Sequence, residues 1–338
     1  MAKARALDKR RKSVRNIRKI TRTMELVSTA QFKRAMDRAV AASAYTKRIV
    51  SLVGDLSHAG VTVSHPLLEP REDVEHVALL VLTANRGMCG GYNASLTRMS
   101  INRWNELKTE FPDKKVTIEM SGKRGISAFK FRKIEMDEMF THFEDKPTFE
   151  EVNELATRYM EEYLAGTLDR LEIVYTKFIS LSKQQAVHET LLPMTELVDE
   201  DDIMTTSPAT TTSEDDGRPK SEAELKKAAM VKAAHSRLAK SGIGFGIRSG
   251  GEIPFDFYPS AQSIMEEIIP NAFRIKLFKC FLDAGVNEQI ARMVAMKAAT
   301  ENADQIIGAM TTAYNRARQG QITNEILEVI GGANALGG

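Results

Sequence analysis

The sequence predicts an α+β fold, in which the N- and C-terminal helices pair as a long antiparallel two-helix coiled coil and an α/β domain is inserted between them. Two long stretches without proline, 3–57 and 271–330, predict the two helices. Between 70 and 194 short apolar runs alternate with amphipathic segments, which is typical of an α/β domain. The chain has 338 residues, and the 43% that are hydrophobic suffice for a sizeable core.

The N-terminal coiled-coil helix is expected within residues 1–60 and would be about 80 Å long, at a rise of 1.5 Å per residue. Its apolar residues recur at three- and four-residue steps, which indicates a helix with one buried stripe. Alanines between 30 and 44 permit a close approach of the partner helix. The predicted stripe is Val14, Ile17, Ile20, Met24, Val27, Ala35, Ala39, Ala42, Tyr45, Ile49, Leu52 and Leu56.

The C-terminal coiled-coil helix is expected within residues 255–338 and would be about 90 Å long. Helices of globular proteins average about 11–12 residues, so two helices this long must bury their stripes against something. Pairing with each other is the simplest solution, although polar residues such as Gln31 and Glu301 do not support a strict heptad repeat. The second stripe includes Ile275, Phe278, Leu282, Val286, Ile290, Val294, Ala298, Ile306, Ala309, Ala313, Ala317, Ile322, Ile326 and Ile330.

The α/β domain at 70–194 is expected to contain a mostly parallel sheet, because strand-like and helix-like segments alternate. A polar insertion at 195–254 follows, and its Thr, Ser and Asp content predicts a partly disordered segment. Strands are expected at 76–84, 114–122, 171–179 and 185–193, and helices at 94–110, near 123–130 and at 148–165.

The glycine-rich stretch NRGMCGGYN at 85–93 has three interpretations: a phosphate-binding loop, a thiol active site or a tight turn. Its glycines match neither GxGxxG nor the GK[ST] ending of a Walker loop. No histidine arrangement supplies a recognisable base for Cys89. The turn is therefore favoured, and no catalytic, cofactor or metal residue is expected in the chain.

The N-terminal helix is strongly basic, with ten Lys or Arg and one acid between Lys3 and Arg22. Such a face is expected to meet an acidic partner, which leaves nucleic acid, a lipid surface or an acidic protein loop. No aromatic residue available for base stacking precedes Phe32. No apolar run reaches the roughly 18 residues of a membrane span, so no direct span is expected. The two cysteines, far apart in sequence, are expected to be free thiols.

Four separated motifs closely resemble the signatures of one family, the γ subunit of the rotary (F-type) ATP synthase. They are IRKITRTMELVSTAQFKRA at 17–35, LTANRGMCGGYN at 82–93, ARMVAMKAATENA at 291–303 and YNRARQGQITNEILEVIGGANAL at 314–336. The resemblance covers the chain in order, apart from about 195–254. It implies a coiled-coil shaft that carries a Rossmann-like α/β domain.

The resemblance also implies a role as the central-stalk rotor, which is not an enzyme on its own. Its partners would be the α and β subunits of the catalytic ring, the ε subunit and the membrane c-ring. Proton or sodium flow would turn the shaft and drive the β subunits through ATP synthesis or hydrolysis. The expected location is the cytoplasmic side of a bacterial inner membrane, as a peripheral protein. If the chain is a rotor, no nucleic acid is expected among its partners. The alternative function is that of a nucleic-acid-binding coiled-coil protein, which would use the basic N-terminal helix.

The polar insertion either brakes wasteful ATP hydrolysis or is a surface spacer, and the sequence leaves both alternatives open.

Contact residues carry over from the family motifs one by one. The resemblance implies a lower β-subunit contact at Arg22, Met24, Glu25 and Arg86, an upper β-subunit contact at Arg318, Gln319, Thr323 and Glu325, and a c-ring contact in the foot at Tyr258.

Overall fold

The computed structural model describes residues 2–58, 65–143, 146–194 and 261–336. The polar insertion 195–254 and the predicted foot residue Tyr258 lie outside these ranges. The helices are α1 (Ala2–His58), α2 (Tyr92–Glu110), α3 (Lys123–Phe131), α4 (Phe149–Ala165) and α5 (Ala261–Leu336). The strands are β1 (His76–Leu82), β2 (Lys115–Ser121), β3 (Glu138–Phe140), β4 (Arg170–Phe178) and β5 (Gln184–Leu192).

Both long terminal helices predicted from the sequence are present. Helix α5 begins ten residues before the expected start at 271 and continues through Pro270. Proline removes one backbone hydrogen bond from a helix, but the side chains of Ile269 and Phe273 on either side are fully buried. The packing around this turn therefore outweighs the local preference against proline.

The sheet has the strand order β3-β2-β1-β4-β5. The first four strands in this order are parallel and β5 is antiparallel to β4, which confirms the prediction of a mostly parallel sheet. Central strand β1 is buried at six of its seven positions, as expected for a strand covered on both faces. The sequence analysis missed β3, which is only three residues long and has no buried residue.

Helices cover the sheet on both faces. In β2, Ile118 and Met120 pack into the apolar cluster that also holds Leu96 of α2 and Phe129 of α3. The intervening residue Glu119 points the other way, because side chains alternate along a strand, and it is bonded to α4. Helices α2 and α3 therefore lie on one face and α4 on the opposite face.

Helices α1 and α5 run in opposite directions where they contact each other. The Thr300 hydroxyl donates to the Thr21 hydroxyl at 2.8 Å. Further along, the Arg11 guanidinium carbon lies 4.6 Å from the centre of the Tyr314 ring. The partner number rises in α5 as it falls in α1, which is the direction that the sequence predicts.

The buried seam between these helices differs from the predicted apolar stripes. Ile17, Ile20 and Val27 are at least half exposed, whereas Thr21 and Ser28 are buried. The prediction was wrong at these positions because it counted only apolar residues, and small polar side chains occupy part of the seam. The buried or half-buried positions that follow a regular seam spacing are Leu7, Arg11, Val14, Thr21, Glu25, Ser28, Phe32, Ala35, Ala39 and Ala42 in α1, and Met296, Thr300, Ala303, Ile307, Met310, Tyr314, Ala317 and Gln321 in α5. Asp8, Met24, Gln31, Met36, Ala299 and Thr311 are also half-buried, beside this seam.

Candidate functional site

The glycine-rich loop after β1 is a tight turn against α5. Two of its residues have a left-handed backbone, Met88 with φ 63° and Gly90 with φ 56°. A Cβ atom placed on Gly90 would lie 3.7 Å from the Cβ of Ala295, so the loop backbone runs close to the helix. The geometry agrees with the turn that the sequence favours.

Cys89 sits inside this turn and is only 2% exposed. Its sulfur accepts a hydrogen bond from Asn93 Nδ2 at 3.0 Å. Burial raises the pKa of the Cys89 thiol, so the reactive thiolate is disfavoured. Among the side chains that the structure describes, no histidine is hydrogen-bonded to it, and the thiol active-site interpretation has no support.

Helix α5 occupies the edge of the sheet where a ligand would bind in many α/β proteins. In open parallel sheets that position is the crevice beyond the carboxyl ends of the strands, where the strand order reverses. Here the reversal lies between β1 and β4. Tyr92, just after the β1 loop, donates its hydroxyl to Ala284 O of α5 at 3.1 Å. Asn287 of α5 donates its amide to Thr176 O in β4 at 2.7 Å. The crevice is filled by the chain's own helix.

A buried arginine joins the β1 loop to α5. Arg292 is 3% exposed, and its guanidinium donates to Gly87 O at 3.3 Å and to Gln289 Oε1 at 3.1 Å. It also pairs with the buried carboxylate of Glu288, one turn earlier on the same helix. This cluster fixes the loop to the buried segment of α5 at 280–292, which packs on the α/β domain and is called the base of the shaft.

Three of the four predicted lower contact residues, Arg22, Met24 and Glu25, lie on α1 close to this base. Arg22 Nη1 donates to Glu25 Oε1 at 2.8 Å, with the arginine side chain 58% exposed and the glutamate side chain 13% exposed. Glu25 therefore turns into the seam between the helices, while Arg22 remains accessible to a partner. Met24 is half-buried beside them.

Arg86 lies near the same level of the helix pair as Arg22. The Thr21–Thr300 bond places Arg22 beside residue 300 of α5, and the loop that holds Arg86 is bonded to Arg292. Residues 292 and 300 of α5 are eight residues apart, which corresponds to about 12 Å along the helix axis. Arg86 and Arg22, both exposed, therefore lie at similar positions along the helix pair. The structure thus groups these two predicted contacts.

The predicted upper contact residues form a separate group. Arg318 is 26 residues beyond Arg292 on α5, a distance of about 39 Å along the helix. All four predicted residues of this group are exposed. Thr323 donates its hydroxyl to Gln319 O at 3.0 Å, and Glu325 accepts from Gln321 Nε2 at 2.8 Å.

Exposed apolar side chains accompany both groups, and the sequence analysis assigned many of them to the buried seam. Large apolar side chains that are about half exposed or more are typical of surfaces that bind another protein. These exposed residues fall outside the alternating three- and four-residue steps of the seam, and this difference in spacing could have identified them from the sequence. They are Ile17, Ile20, Leu26 and Val27 on α1 and Val294, Ile306, Ile322, Ile326, Leu327, Val329 and Ile330 on α5.

Comparisons with known proteins agree with this architecture. A family model described as ATP synthase matches residues 3–336. The ATP synthase gamma chain of Rhodopirellula baltica is 50% identical over the full length of both chains. That of Leptospira biflexa is 35% identical over 99% of this chain and 100% of the relative. The chain belongs to the ATP synthase γ family.

Solved structures share the fold of this γ-family chain. One is the rotor of the Euglena gracilis mitochondrial ATP synthase, with a TM-score of 0.54 and 17% identity over 95% of this chain and 99% of that one. Another, from a structure described as OSCP/F1/c-ring of the same enzyme, has a TM-score of 0.57 and 18% identity over 99% of this chain and 95% of that one.

Membership of the γ family confirms that the chain is a non-catalytic subunit of ATP synthase, as the sequence predicts. The nucleic-acid-binding alternative finds no support among these relatives. In the ranges that the structure describes, no helix is long and apolar enough to cross a membrane.

Proposed function

We propose that this chain is the central-stalk rotor of a bacterial F-type ATP synthase, and that it couples rotation of the membrane c-ring to conformational change in the catalytic β subunits. The observation that supports this role most directly is the placement of α5. The helix fills the edge of the sheet where a ligand would bind and then extends beyond the α/β domain as half of a rod. The domain is therefore suited to hold a shaft.

The rod is proposed to be an antiparallel coiled coil of α1 and α5. One series of buried or half-buried positions recurs in alternating steps of three and four along each helix, broken by exposed Arg18, and this is the spacing of a coiled-coil seam. Several residues beside the series, such as Met24 and Ala299, are half-buried as well. Arg18 Nε lies 2.6 Å from Asp304 Oδ1 beside this seam. The α/β domain is proposed to be Rossmann-like, since the strand order β3-β2-β1-β4-β5 is that of the first five strands of the dinucleotide-binding fold, with β5 running in the opposite direction.

The partners are proposed to be the α and β subunits around the upper shaft, with the ε subunit and the c-ring at the foot. Tyr258 is proposed as the foot contact. Membrane association would then depend on the complex, with the chain peripheral on the cytoplasmic side. Proton or sodium flow through the c-ring would supply the torque.

The β contacts are proposed to lie at two levels of the shaft. Arg22, Met24, Glu25 and Arg86 form the lower level, where exposed guanidinium groups suit an acidic loop. The upper level begins at Arg318, about 27 Å along α5 from Thr300, the residue beside Arg22, and it presents polar groups that suit hydrogen bonds to a β loop. The four residues proposed for it are Arg318, Gln319, Thr323 and Glu325.

The mechanism follows from contact with three otherwise equivalent β subunits. An asymmetric rod presents a different face to each of them, so each makes a different set of contacts. A difference in contact free energy shifts each β subunit towards a different conformation. Rotation then moves every β subunit through the same sequence of conformations.

Co-expression of the tagged chain with the α and β subunits tests this function. We expect a complex that hydrolyses ATP and an isolated chain that does not. Failure of the folded chain to assemble with α and β would contradict the rotor role.

Matched variants test the lower contact. Arg22→Gln is expected to lower hydrolysis-driven ion pumping by about two- to fivefold, the range for one partly exposed charge contact. Arg10→Gln is the control, because Arg10 is also exposed on α1 and lies about 18 Å from Arg22. Equal effects of both variants would argue for a general charge effect and against a localised contact.

A further inference from the structure

A basic groove lies on the α/β domain between α2 and α3. It encloses about 450 Å³. Three arginines line it, Arg98 from α2, Arg124 from α3 and Arg132 directly after the end of α3. Its remaining walls are small apolar or neutral polar side chains such as Ala94 and Ala128.

The surroundings of the groove add to its positive charge. Residues 123–133, KRGISAFKFRK, contain five basic residues and no acid. Within the described part of the chain, no carboxylate lies within 4 Å of these five cations or of Arg98. Cations grouped in this way repel one another, and an anionic partner would relieve the repulsion.

An aromatic side chain projects from the same short helix. Phe131 is 88% exposed and lies between Lys130 and Arg132 in the sequence. Burial of its apolar surface by a partner lowers the free energy of the complex. Arginine and aromatic residues are also enriched at protein interfaces.

We propose that this groove is a docking site for an acidic segment of another protein subunit. Carboxylates of the segment pair with Arg98, Arg124 and Arg132, and an apolar side chain of the same segment covers Phe131. The involvement of a subunit in the same complex rests on the proposed function above.

The shape of the groove favours a protein segment over an anionic membrane. Arg98 of α2 and Arg124 of α3 both line a groove between the two helices, and a planar lipid surface does not enter such a groove. The Arg124 side chain also lies close to the β1 loop, since a Cβ atom on Gly87 would lie 3.0 Å from its Nη2. A positioned guanidinium of this kind suits a carboxylate with defined geometry.

Zero-length carbodiimide cross-linking of the purified complex tests the proposal, because this reagent joins a lysine amine to a carboxylate that contacts it. We expect products that link Lys123, Lys130 or Lys133 to an acidic residue of a different subunit. The internal pair Lys177–Glu189, with Nζ and Oε1 3.3 Å apart, is the positive control for the reaction.

Replacing the three groove arginines with glutamine is expected to lower the yield of these products by about tenfold. The matched control replaces three exposed lysines elsewhere on the domain, Lys115, Lys146 and Lys183, with glutamine and should leave the yield unchanged. If the triple variant does not assemble, Arg98→Gln alone is compared with Lys115→Gln.

Three results would overturn the proposal. The first is the absence of intersubunit products from the groove lysines when the Lys177–Glu189 product forms. The second is linkage of those lysines only to carboxylates of their own chain. The third is groove-dependent sedimentation of the chain with phosphatidylglycerol vesicles, without intersubunit products. In each case assembly with α and β leaves the rotor function intact, whereas failure of that assembly rejects the rotor function itself.

Discussion

Removal of the buried cation at the base of the shaft should destabilise the chain strongly. Arg292→Met keeps an unbranched side chain, although a shorter one, and removes the bonds to Gly87, Gln289 and Glu288. The Glu288 carboxylate, 6% exposed, is then left without this cation in a site that water barely reaches. Breaking a buried pair in this way costs about 3–5 kcal/mol of unfolding free energy.

A double-mutant cycle separates the charge effect from the loss of packing. In Glu288→Met/Arg292→Met both charges are removed together, so no carboxylate remains buried without the Arg292 guanidinium. The double variant should therefore recover most of the loss and lie within about 2 kcal/mol of the wild type. Arg10→Met, on the exposed face of α1, is the control and should change stability by less than about 0.5 kcal/mol.

Urea unfolding of the purified chain provides the assay, followed by the fluorescence of its single tryptophan. That residue, Trp104, lies on α2 and reports on the α/β domain. The reasoning fails if Arg292→Met costs no more than the Arg10 control. It also fails if the double variant is less stable than Arg292→Met, because the charge pair would then not be the source of the loss.

Three further predictions concern single buried groups. Ser28 Oγ is buried and has no hydrogen-bond partner in the described ranges, so Ser28→Ala should raise the urea-unfolding free energy by about 1 kcal/mol. Burial raises the pKa of Glu119 above its ordinary 4.5, so its folded form binds the proton more tightly than the unfolded form. Its contribution to stability therefore falls as pH rises through the folded pKa, and Glu119→Gln should gain stability relative to the wild type between acid and neutral pH. Cys89 should resist iodoacetamide in the folded chain and react after unfolding in urea, and reaction at equal rates would contradict its burial.

Local sequence patterns account for much of the fold. The apolar run of β1 is bounded by turn residues and forms the central strand of the sheet. Because both faces of a parallel sheet are covered, its central strand is buried along its whole length and is apolar throughout. Thr148 and Glu151 form a capping box at the start of α4, and the helix ends at Gly166 in a left-handed conformation. These signals lie within a few residues of the element boundaries that they determine.

Contacts between distant parts of the chain could not be predicted in the same way. Tyr92 and Ala284 are 192 residues apart, and no local pattern indicates that α5 enters the crevice beside β1. The seam was misread for a related reason. Thr21 and Ser28 are polar, so a count of apolar residues assigned the seam to Ile17 and Ile20, which are exposed in this chain.

The same arrangement explains why a fold suited to binding a ligand can act as a mount for a shaft. The crevice beyond β1 and β4 is the place where such a sheet presents backbone groups, and Asn287 uses the carbonyl group of Thr176 there. Between 280 and 292 nearly every residue of α5 is buried, whereas beyond 304 most are exposed. A helix held on all sides at its base resists rotation relative to the domain. The upper part has one partner helix, and its exposed apolar side chains require further subunits to cover them. Torque applied to the domain is therefore passed to α5 at its buried base and delivered where the helix is exposed.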